Sequence, residues 1–536
     1  MPTARSTLPL RNLILLNLKL ARTVAPRFGI IVKGLPGGLK TRTTLETLIS
    51  MHSVFTRAKI PIVIALPTRV LRDYCARMAL ERLTENDVVV FRSKSEICPT
   101  YREQVVDVYK ALLRRVLQDV RYAEAKLGYS AIFGKNMIRM LAELYVRYKV
   151  CRECSSRANC EFYQNLRLLL ANTPKLYFMT HKLLQILVHT SPLLFKRCII
   201  VIDEVDQYID VFRRVMTIEH AKVIEKLAKI DPIWNRILGT LRRQLILSRG
   251  TGILFVKPAM PRCLLPILIS ATVDIEDIDL AYAIAHRKKY IFDVYTVSTK
   301  IIDKCVVCHN LIYMLGETGE NVVKPRDAAK KIAAIVAELV SSGLRVGIAA
   351  RSYDFAELLT YELSPYGIKF FTDAKYRKQN LSIREIREQL RTVDVIIWTT
   401  RGKLSRGVSL PDCDVIICTY QAADLVKPSD HVIDYVVLGM YEEEIDDTTL
   451  RLFAHKICDA HNVQSFFRAN RNREMKHVFL FADRRAWEAM IRTFREYAKR
   501  SRTFEKWYKQ ELLKPKRTDL RNTRHVVETV LSAVKT

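Results

Sequence analysis

Phe28-Gly29-Ile30-Ile31-Val32-Lys33-Gly34-Leu35-Pro36-Gly37-Gly38-Leu39-Lys40-Thr41 is the stretch from which the architecture can be read. From Phe28 to Gly34 the run is apolar without polar alternation, which predicts a strand buried on both faces. A Gly/Pro turn follows, and a helix is expected to begin near Lys40. The same order recurs downstream. Ile60 to Leu66 predicts a second buried strand, followed by an amphipathic helix through Val70, Leu71, Cys75 and Met78, and Val88 to Phe91 predicts a third strand. After a long excursion come Lys175 to Met179, Cys198 to Ile202 and Pro266 to Ile269. In the second half a helical pattern through Ile332, Ile335 and Leu339 follows Lys324 and Pro325. Strands are expected there at Arg345 to Ala349, Ile368 to Phe371, Val393 to Thr399, Asp414 to Thr419 and Val478 to Phe481. Strands alternating with helices predict mostly parallel sheets covered on both faces. The expected class is therefore α/β, with two such domains joined near residues 310 to 326.

A chain of 536 residues has room for two to four domains, and 49% apolar residues supply large cores. The formal charge of +31 makes nucleic acid the leading partner, because a cationic surface binds phosphate backbones by releasing their counterions. The alternative is a basic protein with no such partner. Arg5 and Arg11 ahead of a leucine-rich stretch imitate a secretory signal, but Asn17, Lys19 and Arg22 interrupt it. No run approaches the roughly 18 apolar residues of a membrane span, so a soluble, cytoplasmic protein with no membrane partner is expected. Sparse Asn and Gln beside abundant Ile, Val, Leu, Arg and Lys lean toward a hot-living source.

Gly34 to Thr41 lies where a phosphate-binding loop must lie, between a buried strand and a helix. Its glycines let successive backbone N–H groups face one concavity, and the helix start adds its positive dipole end. Gly34, Gly37 and Gly38 would cradle phosphates, Lys40 would reach the β and γ phosphates, and the Thr41 hydroxyl would hold Mg²⁺. Leu39 stands where glycine is usual before the lysine; if that position needs φ > 0, leucine costs about 1 to 3 kcal/mol. Farther on, Cys198-Ile199-Ile200-Val201-Ile202 runs into Asp203-Glu204-Val205-Asp206, placing carboxylates at the carboxyl edge of a sheet. Asp203 would coordinate Mg²⁺ and Glu204 would activate the attacking water. The plain alternatives are a glycine-rich turn and a solvated acidic loop.

With these, the ordered series resembles the superfamily 2 DNA helicases, specifically the XPD/DinG-like, iron–sulfur branch. It comprises the loop at Gly34 to Thr41, the box Asp203 to Asp206, Ser270-Ala271-Thr272, and Gln464-Ser465-Phe466-Phe467-Arg468-Ala469-Asn470-Arg471. Leu66-Pro67-Thr68-Arg69 resembles the segment that touches the nucleic-acid backbone in the first domain. Arg401-Gly402-Lys403-Leu404-Ser405-Arg406-Gly407-Val408 resembles the family's motif V. The resemblance implies two RecA-like domains hydrolysing Mg-ATP at their junction and movement on single-stranded DNA, 5′ to 3′. It assigns nucleic-acid contact or coupling to Thr68, Arg69, Ser270, Thr272, Arg401, Lys403 and Ser405, and catalytic roles to Gln464, Arg468 and Arg471. Arg468 and Arg471, about one helical turn apart, could both face a phosphate, and arginine stays charged throughout. Departures are Phe467 for glycine, Arg406 and Ser409 for acids, and Asp206 for histidine.

Among twelve cysteines, Cys151 and Cys154, Cys160, and Cys98 far upstream can complete a four-thiolate shell. The resemblance implies a [4Fe–4S] cluster, and zinc is the alternative. Cys305-Val306-Val307-Cys308-His309 matches a haem-attachment pattern but reads as a buried strand. Cys75, Cys198, Cys263, Cys413, Cys418 and Cys458 are expected in the core. In the tail, Tyr497, Phe504, Trp507 and Tyr508 among lysines and arginines would either stack bases or pack onto the second domain.

The expected division is 1–93, 171–206 and 263–310 for the first RecA-like domain, interrupted by a cysteine-bearing insertion at 94–170 and a reduced, arch-like helical segment at 207–262. The second domain is expected over 311–490, with a basic helical tail at 491–536. The alternatives to a DNA helicase are a nucleic-acid-stimulated ATPase on RNA or nucleoprotein, and a non-catalytic strand-binding derivative. Partner proteins in replication or repair are not legible in the residues.

Overall fold

Apolar runs that lack alternation become strands with both faces covered, and the computed structural model places most of the expected runs in two sheets. It describes residues 10–23, 28–34, 39–127, 131–209, 215–217, 229, 231–242, 245–247, 253–256, 259–272, 278, 281–282, 285–286, 290–297, 301–308, 324–372, 383–399, 404, 410–420, 459–470, 475–499, 502–519 and 522–535. The first ten strands are β1 (Phe28–Lys33), β2 (Ile62–Leu66), β3 (Val88–Val90), β4 (Leu176–Thr180), β5 (Ile199–Ile202), β6 (Val215–Thr217), β7 (Leu245–Leu247), β8 (Ile253–Val256), β9 (Leu265–Ser270) and β10 (Ile291–Thr296). They belong to the first of two compact units, apart from Lys33 and Thr296, which group with the second.

Seven of these strands form a sheet in the order β10-β1-β9-β5-β2-β4-β3. Central pairings are parallel, with Ile62 opposite both Leu176 and Ile199, and Ile202 opposite Leu268. Every residue of β2, β5 and β9 is buried. At Gly29 an added Cβ would lie 2.3 Å from the Phe292 ring, so the contact of β1 with β10 requires glycine. The amino-terminal helix Leu10–Thr23 buries Leu13, Ile14, Asn17 and Leu18, and the Asn17 amide donates to Asp293 (2.8 Å).

Helices Lys94–Ile97, Pro99–Leu127, Ala131–Tyr148, Val150–Glu153 and Glu161–Leu170 make up the cysteine-bearing insertion. Tyr101, Val105, Leu141 and Val146 share a small core with Trp234 and Ile237 of helix Ile233–Arg242, where Tyr145 stacks on Trp234 at 4.9 Å. The segment expected to be helical from Ile218 to Leu247 is corrected in part. Leu245–Leu247 is a strand, and β6-β8-β7 form an antiparallel sheet with Leu245 opposite Val256 and Val215 opposite Phe255. Short apolar runs near Gly250 and Gly252 suit a pleated pair better than another helical turn.

The second unit contains β11 (Lys304–Cys308), β12 (Val346–Ala350), β13 (Phe370–Thr372), β14 (Val395–Thr399), β15 (Val415–Cys418), β16 (Val478–Phe481) and β17 (Lys516–Thr518). Their order is β13-β14-β12-β15-β16-β11-β17, and all six pairings are parallel. β11 precedes the segment expected to join the two halves, yet it lies between β16 and β17. Cys305 and Cys308 are buried there, and burial raises the Cys308 thiol to about 12. The tail is also part of this unit. Val526 and Val530 of helix Thr523–Lys535 pack with Val306, Ile332 and Val346. Tyr497, Phe504, Trp507 and Tyr508 are buried against one another, and Trp507 Nε1 donates to Asp303 O (2.7 Å). These rings pack inward, so the base-stacking alternative is set aside.

Candidate active site

In a parallel sheet the carboxyl ends of all strands open on one edge, and the marked residues of the first unit gather along that edge. β1 ends at Lys33 and leads to Gly34, where an added Cβ would lie 3.0 Å from Lys40 Cγ. Glycine therefore leaves room for the lysine stem. Gly37 and Gly38 lie outside the described residues. Leu39 has φ 56 and is 63% exposed, so it holds a left-handed conformation without compensating burial. Lys40 opens helix Lys40–Ser50, whose first N–H groups lack partners within the helix.

Thr41, in the first turn, donates its hydroxyl to Asp203 Oδ1 at 2.7 Å. Asp203 follows β5 directly and is 3% exposed. A hydroxyl and a buried carboxylate in contact form a hard-oxygen pair, suited to Mg²⁺ that keeps waters and phosphate oxygens as its other ligands. Among the described residues no group of three or more His, Cys, Asp or Glu could hold a metal ion. A pair is enough for Mg²⁺ in phosphate chemistry, and it is not an all-protein cage.

Glu204 is the next residue and also has positive φ, at 46. Gln207 Nε2 donates to its carboxylate. Asp206 Oδ1 accepts from Ser270 Oγ at 2.8 Å, and Ser270 Oγ accepts from the Thr272 N–H at 3.1 Å. The acidic box is thus tied to the Ser-Ala-Thr segment because β5 and β9 are neighbours. Two of the four non-glycine residues with φ > 0 are Leu39 and Glu204, and strained backbone concentrates at sites of this kind.

Thr68 caps helix Arg69–Leu80, its Oγ1 accepting from Leu71 N–H (3.2 Å). Arg69 is exposed and 3.5 Å from Glu96, while Arg72 is buried and donates to Glu96 (2.8 Å) and Asp73 (2.8 Å). Burial would raise the Glu96 pKa, but the N–H and hydroxyl of Ser93 and the Arg72 guanidinium hold it below its usual value. This ion pair ties the turn after β2 to the turn after β3 and fixes where Thr68 and Arg69 stand.

His181 was not singled out in the sequence. It begins helix His181–Thr190 after β4, is buried, and meets Tyr208 edge-on at 5.3 Å. Burial lowers its pKa to about 4 although bonds to the Asp203 and Ala65 carbonyls act to raise it, so the ring is neutral at pH 7. A histidine between apolar residues carries no local sign of such a role.

In the second unit, Gln464 lies in a helix over 459–466 that tightens into a 3-10 turn, Phe467–Ala469, containing Arg468. Asn470 then leaves helical geometry with φ −136 and ψ 78, and its amide donates to buried Asp303 (3.0 Å). The expected continuous helix from Arg468 to Arg471 is therefore corrected; Arg471 lies outside the described residues, as do Arg401, Lys403 and Ser405. Phe467 is explained by packing, since its ring lies 4.9 Å from Phe479 and 5.8 Å from Phe494. Trp398 Nε1 donates to Ser465 O and Oγ (3.1 and 3.0 Å). Gly347 makes space for that indole, which an added Cβ would meet at 2.8 Å.

Of the insertion's thiols, Cys154 is exposed while Cys98, Cys151 and Cys160 are half-buried. Burial raises the Cys151 pKa, the Lys94 ammonium opposes this, and Cys98 and Cys154 add to the rise, so these three thiols are within electrostatic reach. Lys94 is buried, donates to Tyr163 Oη (2.8 Å) and lies over the Phe162 and Tyr163 rings (4.9 and 4.4 Å). Cys160 precedes helix Glu161–Leu170 and packs on the core of the first sheet. With an ammonium beside the thiols and no three ligands converging, this arrangement does not itself form a four-thiolate cage.

No protein-family profile matches the chain, and no curated protein matches it. Similar solved structures include one titled XPD helicase, 12% identical, covering 96% of this chain and 100% of that one, with a TM-score of 0.53. Others are Dbp5 from S. cerevisiae bound to RNA and ADP BeF3 (12% identity, 99% of this chain and 94% of that one, TM-score 0.45) and the helicase MrfA bound to DNA and AMPPNP (13%, 97% and 53%, TM-score 0.41). The fold likeness rests on the first of these, and together with the two seven-stranded parallel sheets it identifies the architecture as two RecA-like domains.

Proposed function

We propose that this chain is an ATP-driven translocase or helicase acting on single-stranded DNA, with 5′ to 3′ movement implied by its sequence resemblance. The observation that carries the reading is the 2.7 Å bond from Thr41 to Asp203, beside a lysine whose stem lies against Gly34. Lys40 binds the β and γ phosphates, and Thr41 and Asp203 hold Mg²⁺. Bound Mg²⁺ neutralises charge on the β and γ oxygens. Glu204, with its carboxylate held by Gln207, orients and deprotonates the attacking water. Arg468 and Arg471 are assigned to the charge that develops on the transferred phosphoryl group, with Gln464 beside them. Asp206 and Ser270 link that chemistry to strand binding, for which Thr68, Arg69, Thr272, Arg401, Lys403 and Ser405 are the candidate contacts.

ATP hydrolysis should rise when single-stranded DNA is added and vanish in Lys40→Ala. Absence of hydrolysis with any nucleic acid would favour the strand-binding derivative, and stronger stimulation by RNA would replace DNA as the track. For the insertion we propose a metal centre on Cys98, Cys151, Cys154 and Cys160, [4Fe–4S] rather than zinc, supported by cysteine spacing and the resemblance. Since the thiols do not converge as they stand, no catalytic step is assigned to it. Protein purified without oxygen should be brown and contain iron; colourless protein containing zinc, or no metal, would refute the cluster.

A further inference from the structure

Helix His181–Thr190 starts at the carboxyl edge of the first sheet, with Thr180 Oγ1 accepting from Leu183 N–H (3.4 Å). β4, which leads into it, lies beside β2, and β2 lies beside β5. The His181 ring is 7% exposed and hydrogen-bonded to the backbone carbonyls of Ala65 in β2 and Asp203 after β5. Asp203 N–H in turn donates to Ala65 O at 3.0 Å. One turn along the same helix, Gln185 donates to Tyr208 O (2.9 Å), and Tyr208 supplies the ring that His181 meets edge-on. Nε2 is buried with no hydrogen-bond partner among the described residues, so the polar contacts of the neutral ring run to those two carbonyls. As filler alone, phenylalanine would occupy this space without burying an unpaired nitrogen. The turn that His181 braces carries Glu204 at φ 46, a conformation that needs support from outside the turn.

We propose that His181 is a positioning residue of the nucleotide site: it holds the backbone at the ends of β2 and β5, aims Asp203 at Thr41, and connects the Thr68–Arg69 turn to the acidic box. This rests on the assignment of Asp203 to Mg²⁺. Groups that orient metal ligands without touching the metal commonly change affinity or activity about 10- to 100-fold when lost.

The test uses the full chain, ATP, MgCl₂ and oligothymidylate. His181→Phe keeps the ring and loses the donor, while His181→Asn loses the ring and keeps an N–H. Strand-stimulated kcat should fall about 10-fold or more in His181→Phe, with a higher Mg²⁺ concentration for half-maximal rate and a smaller change in KM for ATP. His181→Asn should recover most of both. Thermal midpoints of the two variants check folding. A Phe variant as active as the parent, or an Asn variant more impaired than Phe, would overturn the proposal and leave His181 as packing. If the parent hydrolyses no ATP, the nucleotide reading of the site fails first, and this proposal falls with it.

Discussion

Replacing Leu39 by glycine should stabilise the protein and leave its nucleotide chemistry intact. Leu39 has φ 56 and is 63% exposed, so its side chain gains little from burial to offset the backbone conformation. A left-handed residue with a Cβ costs about 1 to 2 kcal/mol relative to glycine in the folded chain. Glycine gives back about 0.4 to 1 kcal/mol through the greater freedom of its unfolded state. The difference favours Leu39→Gly by about 1 kcal/mol, a factor of about 5 in the folded-to-unfolded ratio. Leu39→Ile should move the other way, because β-branching tolerates positive φ poorly. Urea denaturation of parent, Gly and Ile variants with ATP hydrolysis in parallel measures both effects. A Gly variant no more stable than the parent would refute the strain argument. A Gly variant that gained stability but lost hydrolysis would instead show that the leucine side chain takes part in the site.

Arg72→Ala should cost about 3 kcal/mol, the lower end for breaking a buried pair, because Arg69 remains 3.5 Å from Glu96; urea unfolding checks this, and a cost near zero would refute it. Glu96 has a depressed pKa, so its contribution is present above the ordinary glutamate value of about 4.3 and is lost as pH falls through the folded value. Glu96→Gln should flatten the acid limb of the stability curve, and an unchanged limb would contradict the assignment. In a double-mutant cycle of Ser270→Ala and Asp206→Asn, strand-stimulated hydrolysis should show coupling of about 0.5 to 3 kcal/mol, whereas additive effects would mean that the 2.8 Å bond does not link the two segments.

Buried strands were legible in the sequence because a continuous apolar run bounded by polar residues is a local signal, as at Ile199–Ile202 and Val395–Thr399. Lys40, Thr41 and Asp203 were legible for the same reason, since each sits at the end of such a run. The conformational demand on Leu39 could be posed from the residues, but only the fold supplied its φ. Tertiary structure decided which strands are neighbours. It placed β9 beside β5, so Ser270 meets Asp206 across 64 residues, and it joined Thr41 to Asp203 across 162. It drew β11 into the second sheet, formed an antiparallel sheet where helix was expected, turned Phe467 into an anchor on Phe479, and set His181 against Ala65 and Asp203. The physical reason is range. Periodicity and turn chemistry act over a few residues and fix which segments are buried, whereas strand order and the partners of buried polar groups depend on packing between segments far apart in the chain.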